Sequence, residues 1–250
     1  MLPGVAGHLT ALGASHIDGA ITLPNLAALA KAESALARAG LFRARGELFD
    51  VRAVPGGPVL AKLDRGALPV LGIAAEGVHV NGLVQTAHGL HLWVAKRAAT
   101  KALDPGKLDH IVAGGISAGM NAADTLVKEA AEEAGISAAV ARQAKFAGVV
   151  TYAIERPEGL RRDHLHCYDL VLPADLHPIP RDGEVESFSL MPLNDVLRRV
   201  ANTDDFKFNV NLVLIDLFSR LGLVREGSLP PAGGALPLHP TEVRDPRPPA

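Results

Sequence analysis

The sequence predicts an α/β fold, and three observations carry that reading. Segments with helical periodicity alternate along the chain with short strand-like runs. One helix rich in Ala, Leu, Lys and Glu, Asn121 to Ala134, is introduced by a Gly-rich turn and closed by Gly135. The chain has 250 residues, 48% of them apolar, which is ample for a sizeable core in one large domain or two small ones.

Residues 1–20 are rich in Gly and Ala and show no clear period. Leu26 to Ala39 places apolar residues on a helical period and is followed by Gly40, so it reads as a helix. Glu47 to Val54 reads as a strand before the turn residues Pro55, Gly56 and Gly57. Val70–Ile73, Gly77–Val84 and Leu90–Ala95 read as further strands. In the second of these His79 and Asn81 share one face, as core positions or as site residues. A basic patch follows, with Lys96, Arg97, Lys101 and Lys107 around a Pro105-Gly106 turn.

Beyond the acidic helix, Phe146–Ile154 and His164–Val171 read as strands, with PEGLRRD as the loop between them. His164 and His166 alternate onto one face. Without a third evident ligand they are expected to be strand residues satisfied by neighbours. Cys167 faces the other way and is expected to pack as a small apolar residue. Glu184 and Glu186 fall on one face of an alternating strand that follows the turn Arg181-Asp182-Gly183. Pro192–Val200 and Phe206–Leu221 are helical patterns, the second ended by Gly222. Residues 227–250 are rich in Pro and Gly, lack periodicity and are expected to be a disordered tail.

Composition narrows the function classes. A net charge of −2 does not suggest a nucleic-acid binder, which would usually carry a strong basic balance. The single cysteine rules out an intrachain disulfide framework or a cysteine zinc cluster. No apolar run reaches the ~18 residues that a membrane span needs. The first twenty residues have no basic region before their apolar stretch, so a secretory signal is not expected and the cytoplasm is the expected compartment.

The acidic helix carries the chemistry. Glu129, Glu132 and Glu133 stand at i, i+3 and i+4, so their carboxylates project from one face within a turn of each other. Like charges at that spacing cost roughly a few tenths of a kcal/mol per pair, and a hard divalent cation such as Mg²⁺ would offset the repulsion. Arg97, just upstream, is the candidate to hold substrate phosphates whose other oxygens meet that cation.

The run GGISAGMNAADTLVKEAAEEAGI resembles the Nudix box. That motif is a glycine, five residues, a glutamate, seven residues, Arg-Glu, an apolar residue, any residue, Glu-Glu, any residue, glycine and an apolar residue. Aligned from its end, Gly114 is the first glycine, and Glu129, Glu132, Glu133, Gly135 and Ile136 match. Lys128 replaces the arginine and Met120 stands at the first glutamate. The flanking runs GVHVNG, LHLWVAKR, PGKLD, YDLVLP, DGEVESFSLMPLNDVL and FKFNVNLVLIDLFSRLG are similar to one Nudix subfamily. Its members precede the Nudix domain with a domain related in annotation to thiamin pyrophosphokinase, and their box normally shows the same two departures. GLFRARGELFDV resembles that subfamily's W-R-x-E-L-Y segment, with Ala44 for the tryptophan and Phe49 for the tyrosine.

The resemblance implies a Nudix α/β/α sandwich with a mixed sheet over residues 89–225. It is expected to follow a small α+β domain over residues 1–88 and to precede a tail over residues 226–250. It implies Mg²⁺, or Mn²⁺, held by Glu129, Glu132 and Glu133 with the Gly114 carbonyl as an added ligand. Proton removal falls to Glu132, Glu184 or Glu186, among which the sequence does not choose. Lys128 either orients Glu129 or pairs with Asp124. Arg97, Lys207 and Asn209 are the expected substrate contacts, the last two being equally readable as a helix N-terminal turn. The implied reaction is hydrolysis of an organic diphosphate. Damaged (oxo or oxy) thiamin diphosphate, cleaved to the monophosphate, is the expected substrate, which would make this a metabolite-repair enzyme. ADP-ribose, NADH or coenzyme A derivatives are alternatives, as is a non-catalytic ligand-binding module. The implied partner is a small molecule, with no membrane or nucleic acid, and the protein is expected as a monomer or homodimer.

Overall fold

The computed structural model describes residues 4–17, 20–101 and 103–224, so the expected Pro/Gly-rich tail lies outside the described residues. The N-terminal part runs α1 (Val5–Thr10), β1 (Ser15–Ile17), β2 (Ala20–Thr22), α2 (Leu26–Arg38), β3 (Leu48–Val51), β4 (Ala61–Asp64) and α3 (Ala67–Leu71). Helix α2 starts where the Asn25 side chain accepts the Ala28 N–H at 2.9 Å. Its apolar stripe packs Ala32 and Leu36 with Val5, Leu9 and Val70. A second small core joins Leu29 to Phe49, Val51, Leu63 and Leu68.

The remainder continues as β5 (Ala74–Thr86), β6 (Gly89–Arg97), β7 (Leu108–His110), β8 (Val112–Gly115), α4 (Ala122–Ala134), α5 (Ala138–Ala141), β9 (Lys145–Arg156), β10 (Gly159–Val171), β11 (Val185–Pro192), α6 (Leu193–Asn202) and α7 (Phe208–Arg220). Its strands form one seven-stranded sheet ordered β11-β6-β5-β10-β9, with β7 also on β6 and β8 also on β5. The β5–β10 pairing is parallel and the others are antiparallel, so the sheet is mixed. Strand β5 lies at its centre because it is long enough to pair with β6, β8 and β10.

Alternation along β5 builds the three layers. Val80 and Val84 pack with Leu126, Ala130 and Ala134 of α4 on one face. Leu83, between them, packs with Leu214 and Leu217 of α7 on the other. The expected α/β sandwich with a mixed sheet is therefore the observed fold.

Three details differ from the expectations. Val70–Ile73 is not a strand: Val70 and Leu71 end α3, which closes at Gly72, and β5 begins only at Ala74. Four apolar residues do not distinguish a strand from a short buried helix. PEGLRRD is not a loop, because Pro157 and Glu158 form the turn and Gly159 already pairs with Arg156. The boundary expected between residues 88 and 89 falls in the tight β5–β6 turn, so residues 74–86 belong to the sheet. Cys167 is buried with Leu165 and Val213, as expected of a small apolar residue. His166 Nε2 lies 2.7 Å from Glu76 Oε2, which satisfies it within the sheet.

Gly159 fastens the two parts together. Its φ is +133°, and a Cβ there would lie 2.3 Å from the Pro69 carbonyl oxygen of α3. Gly159→Ala is expected to cost roughly 2–4 kcal/mol, combining backbone strain with a clash that a rigid carbonyl cannot avoid. In urea unfolding the midpoint should fall while the slope stays unchanged.

Candidate active site

Helix α4 is set on the sheet by its own ends and stripe. The Asn121 side chain accepts the Asp124 N–H at 2.9 Å, and Gly135 turns the chain in the left-handed region at φ +65°. Leu126, Ala130 and Ala134 face the sheet, and Glu133 shares their buried face. Glu133 is only 8% exposed and accepts the Ala113 N–H of β8 at 2.9 Å. Burial raises its carboxyl well above the usual carboxylate range, and the nearby carboxylates of Asp109, Glu129 and Asp182 add to the Ala113 bond's failure to hold it down.

Glu129 lies against the same strand. A Cβ on Gly114 would sit 2.6 Å from the Glu129 Cγ and Cδ, so the glycine is what lets this carboxylate reach the strand backbone. Glu132 turns outward, with its side chain 52% exposed. Lys128 Nζ donates to Glu132 at 2.8 Å and to Glu129 at 2.9 Å, and these two bonds push its ammonium above the ordinary lysine range. Of the two roles open to Lys128, the geometry matches orientation of Glu129, since Asp124 is bonded to Asn121. The three helix carboxylates thus do not act as one equal set: Glu129 and Glu133 face β8 and Glu132 does not.

Two further acids meet Glu133 from the other side of the cleft. Ligating atoms of Glu133, Asp182 and Glu184 all lie within 4.8 Å of one another. The turn before β11 places them, with the Glu184 N–H donating to Asp182 at 2.8 Å. Glu186 is not with them. Val185 pairs with Arg97 and Ser187 with Lys96, so a bulge at Glu186 breaks the alternation that would have kept it beside Glu184. It forms an exposed ion pair with Lys96 at 2.8 Å instead.

The expected substrate contacts are also placed differently. Arg97 is committed within the protein: its guanidinium bonds the Asp104 carbonyl at 3.1 Å, the Leu103 carbonyl at 2.8 Å and Asp109 at 2.8 Å. It holds the loop after β6 as well as lining a narrow cavity with Asp109, His110, Glu133 and Glu184. Lys207, at the start of α7, lies 3.6 Å from Asp109, and burial pushes its ammonium below the ordinary range. Asn209 is buried, with Nδ2 3.4 Å from His79 Nε2, so it faces the sheet.

These contacts belong to a buried polar network that the sequence did not announce. His79 Nδ1 lies 2.9 Å from His110 Nδ1. Burial lowers both rings, His110 to about 4, so both are neutral near pH 7 and one Nδ1–H donates to the other. Asp109 lies beside them and accepts the backbone N–H of His110 at 2.9 Å. Burial would raise the Asp109 carboxyl, but the cations of Lys207 and Arg97 contribute to outweighing it and hold it well below the usual range. His79, Asp109 and His110 are close enough to suggest a cation site. Arg97 and Lys207 already neutralise its one carboxylate, so it is an internal network. Asp109 and His110 stand a few residues before the glycine turn, separated from Gly114 by Ile111, Val112 and Ala113, and Asp182 opens the turn before β11. Those positions were the available signals for them.

The N-terminal part supports the glycine loop. Phe49 and Ser117 form a β-bridge, the Ala118 N–H donates to the Leu48 carbonyl at 2.7 Å, and Ser117 Oγ donates to Glu47 at 2.8 Å. A Cβ on Gly115 would meet the Phe49 ring at 2.5 Å, so ring and backbone are in close contact.

The Glu133 group fits a hard divalent cation by its donor set. Glu133 is buried beside the exposed carboxylates of Asp182 and Glu184, burial and nearby carboxylates raise its proton affinity, and all donors are oxygens, as Mg²⁺ or Mn²⁺ prefers. Among the described residues no helix is long and apolar enough to cross a membrane.

A model of the NUDIX domain family matches residues 76–212, from within β5 into α7. The chain is 44% identical over 195 residues to Nudix hydrolase 20, chloroplastic, of Arabidopsis thaliana, covering 78% of this chain and 51% of that protein. It is 43% identical over 184 residues to Nudix hydrolase 24, chloroplastic, of the same plant, covering 74% and 50%. The chain thus spans about half the length of the curated relatives it matches. Its fold is similar to the crystal structure of DR0079 from Deinococcus radiodurans, with a TM-score of 0.52 and 18% identity over 68% of this chain and 98% of that one. With the NUDIX model covering more than half of its residues, this chain belongs to the Nudix family.

Proposed function

We propose that this chain is a Mg²⁺-dependent diphosphatase that hydrolyses the phosphoanhydride of an organic diphosphate. The observation that carries the reading is the buried Glu133 carboxylate, which meets Asp182 and Glu184 across the cleft while Glu129 lies against Gly114 on the same strand. A phosphoanhydride is already activated, so what it needs from a protein is charge neutralisation and a positioned water.

Glu129, Glu133 and Glu184, with Asp182 and the Gly114 carbonyl, are the groups that would hold the divalent ion. Bound there, the ion would neutralise diphosphate oxygens and lower the pKa of a coordinated water. Lys128 keeps Glu129 in place, and the Lys128–Glu132 bond holds Glu132 out of the cleft. Each strand acid pairs with a lysine, Glu184 with Lys101 and Glu186 with Lys96, and Glu184 is the better-placed general base because it alone of the two lines the cavity and meets Glu133 and Asp182. Arg97 positions Asp109 and the loop after β6; Lys207 and Asn209 fix α7 against β5 and β7. We place the division between the N-terminal part and the Nudix domain before Ala74, so that all of β5 belongs with the sheet.

The substrate reading is finer. Met120, Lys128 and the flanking runs resemble the subfamily whose implied substrate is damaged thiamin diphosphate, which supports oxo- or oxy-thiamin diphosphate cleaved to the monophosphate.

Glu133→Gln keeps an acceptor for the Ala113 N–H but removes the charge, so the fold should persist by circular dichroism while Mg²⁺-dependent kcat drops by at least about 100-fold. Calorimetric Mg²⁺ binding should weaken in parallel; full activity in this variant would remove the metal assignment. Glu184→Gln is expected to lower kcat/KM roughly tenfold or more, whereas Glu186→Gln should change it by less than about twofold. The opposite order in steady-state assays would restore Glu186 to the site. With purified protein and Mg²⁺, kcat/KM for oxythiamin diphosphate should exceed that for ADP-ribose and for NADH. Equal or reversed values would end the thiamin-repair reading.

A further inference from the structure

We infer that the cavity between the N-terminal part and the β9–β10 hairpin is a binding site for an organic phosphate. The cavity measures about 300 Å³, which reaches the range of small-molecule pockets, roughly 300–1,000 Å³. None of its lining residues belongs to the glycine loop or to α4.

Its charge is lopsided. Arg43 and Arg45 reach it from the connection before β3, Arg65 from the end of β4, and Arg161 and Arg162 from β10, against two acids, Glu158 and Asp163. The acids do not balance the arginines. Asp163 is held by Arg161 at 2.8 Å, and Arg65 pairs with Glu47 at 3.0 Å. Among the described residues Arg43, Arg45 and Arg162 form no ion pair with a carboxylate. Five guanidinium groups gathered from two separate parts of the fold outnumber the two acids of the cavity and favour an anion, and their planar donor forks match phosphate oxygens.

The other wall is apolar. Phe42, Leu68, Pro69 and Ile73 offer a surface that inorganic phosphate cannot use, so the ligand carries a ring or chain beside its phosphate. Leu103 completes the cavity, and its carbonyl is bonded by Arg97, which lines the acidic cavity. An occupant therefore touches the loop that Arg97 ties to Asp109.

Calorimetry of the full chain in EDTA, with phenyl phosphate as the probe, reads this site without any metal-dependent binding at the acidic helix. Saturable binding is expected, weakening as salt is raised. Phenol and inorganic phosphate should bind at least about tenfold more weakly, and Arg45→Ala and Arg162→Ala should each weaken phenyl phosphate by about tenfold or more. Both arginines are exposed, so both variants should keep the wild-type circular dichroism. Glu133→Gln should bind as the wild type does. The inference is overturned if no saturable binding occurs, if the arginine variants bind normally, or if Glu133→Gln loses binding as they do. Because the assay excludes the metal, such a result leaves the diphosphatase reading standing.

Discussion

The bond from the Ala113 N–H to the buried Glu133 carboxylate is the contact on which the site depends. It joins the inward face of α4 to β8, and β8 is held by the central strand β5. A carboxylate with a raised pKa in that position is costly to bury as an anion. The nearby carboxylates of Asp109, Glu129 and Asp182 add like charge instead of relieving it. A buried carboxylate crowded by like charge is an arrangement that a bound cation would relieve.

Around that point the protein separates charges that it keeps for itself from charges left facing the cleft. Asp109 has Arg97 and Lys207 as permanent partners, and the two neutral histidines extend the network to Asn209. The network ties β5, β7 and the start of α7 together behind the acidic cavity. Glu129, Glu133, Asp182 and Glu184 have between them the N–H groups of Ala113 and Glu184 and the ammonium groups of Lys128 and Lys101. The asymmetry follows from which groups lie within the sheet and which lie at its open end.

How much of this was legible depended on how local each determinant is. Helix α4, its caps and the positions of its three glutamates follow from spacing within a dozen residues, and they appear as expected. The direction of Glu132 did not, because Lys128 decides it and the sequence left two partners open for Lys128. Glu186 was misplaced by a bulge, a property of the pairing between β11 and β6 that alternation in one strand cannot reveal. The partners of Arg97 within the protein, Asp109 and the carbonyls of Leu103 and Asp104, were not legible because they depend on how the following loop folds back. Asp109 and Asp182 owe their places to a three-residue strand and a turn, which carry little periodic signal. The sheet's central strand was found, but the expected division at residue 88 falls in the hairpin turn after it, since a hairpin turn and a domain linker can look alike in composition.

The β-bridge between Phe49 and Ser117 has a consequence for how the chain is made. During synthesis β3 emerges well before residues 112–119, and until they arrive the Leu48 carbonyl and the Phe49 ring lack the loop that covers them. The early segment can form its own small cores around Leu36 and Leu63, but its edge beside the glycine loop stays open. The N-terminal part therefore completes these contacts only once the glycine loop is in place, which ties the last step of its packing to the formation of that loop.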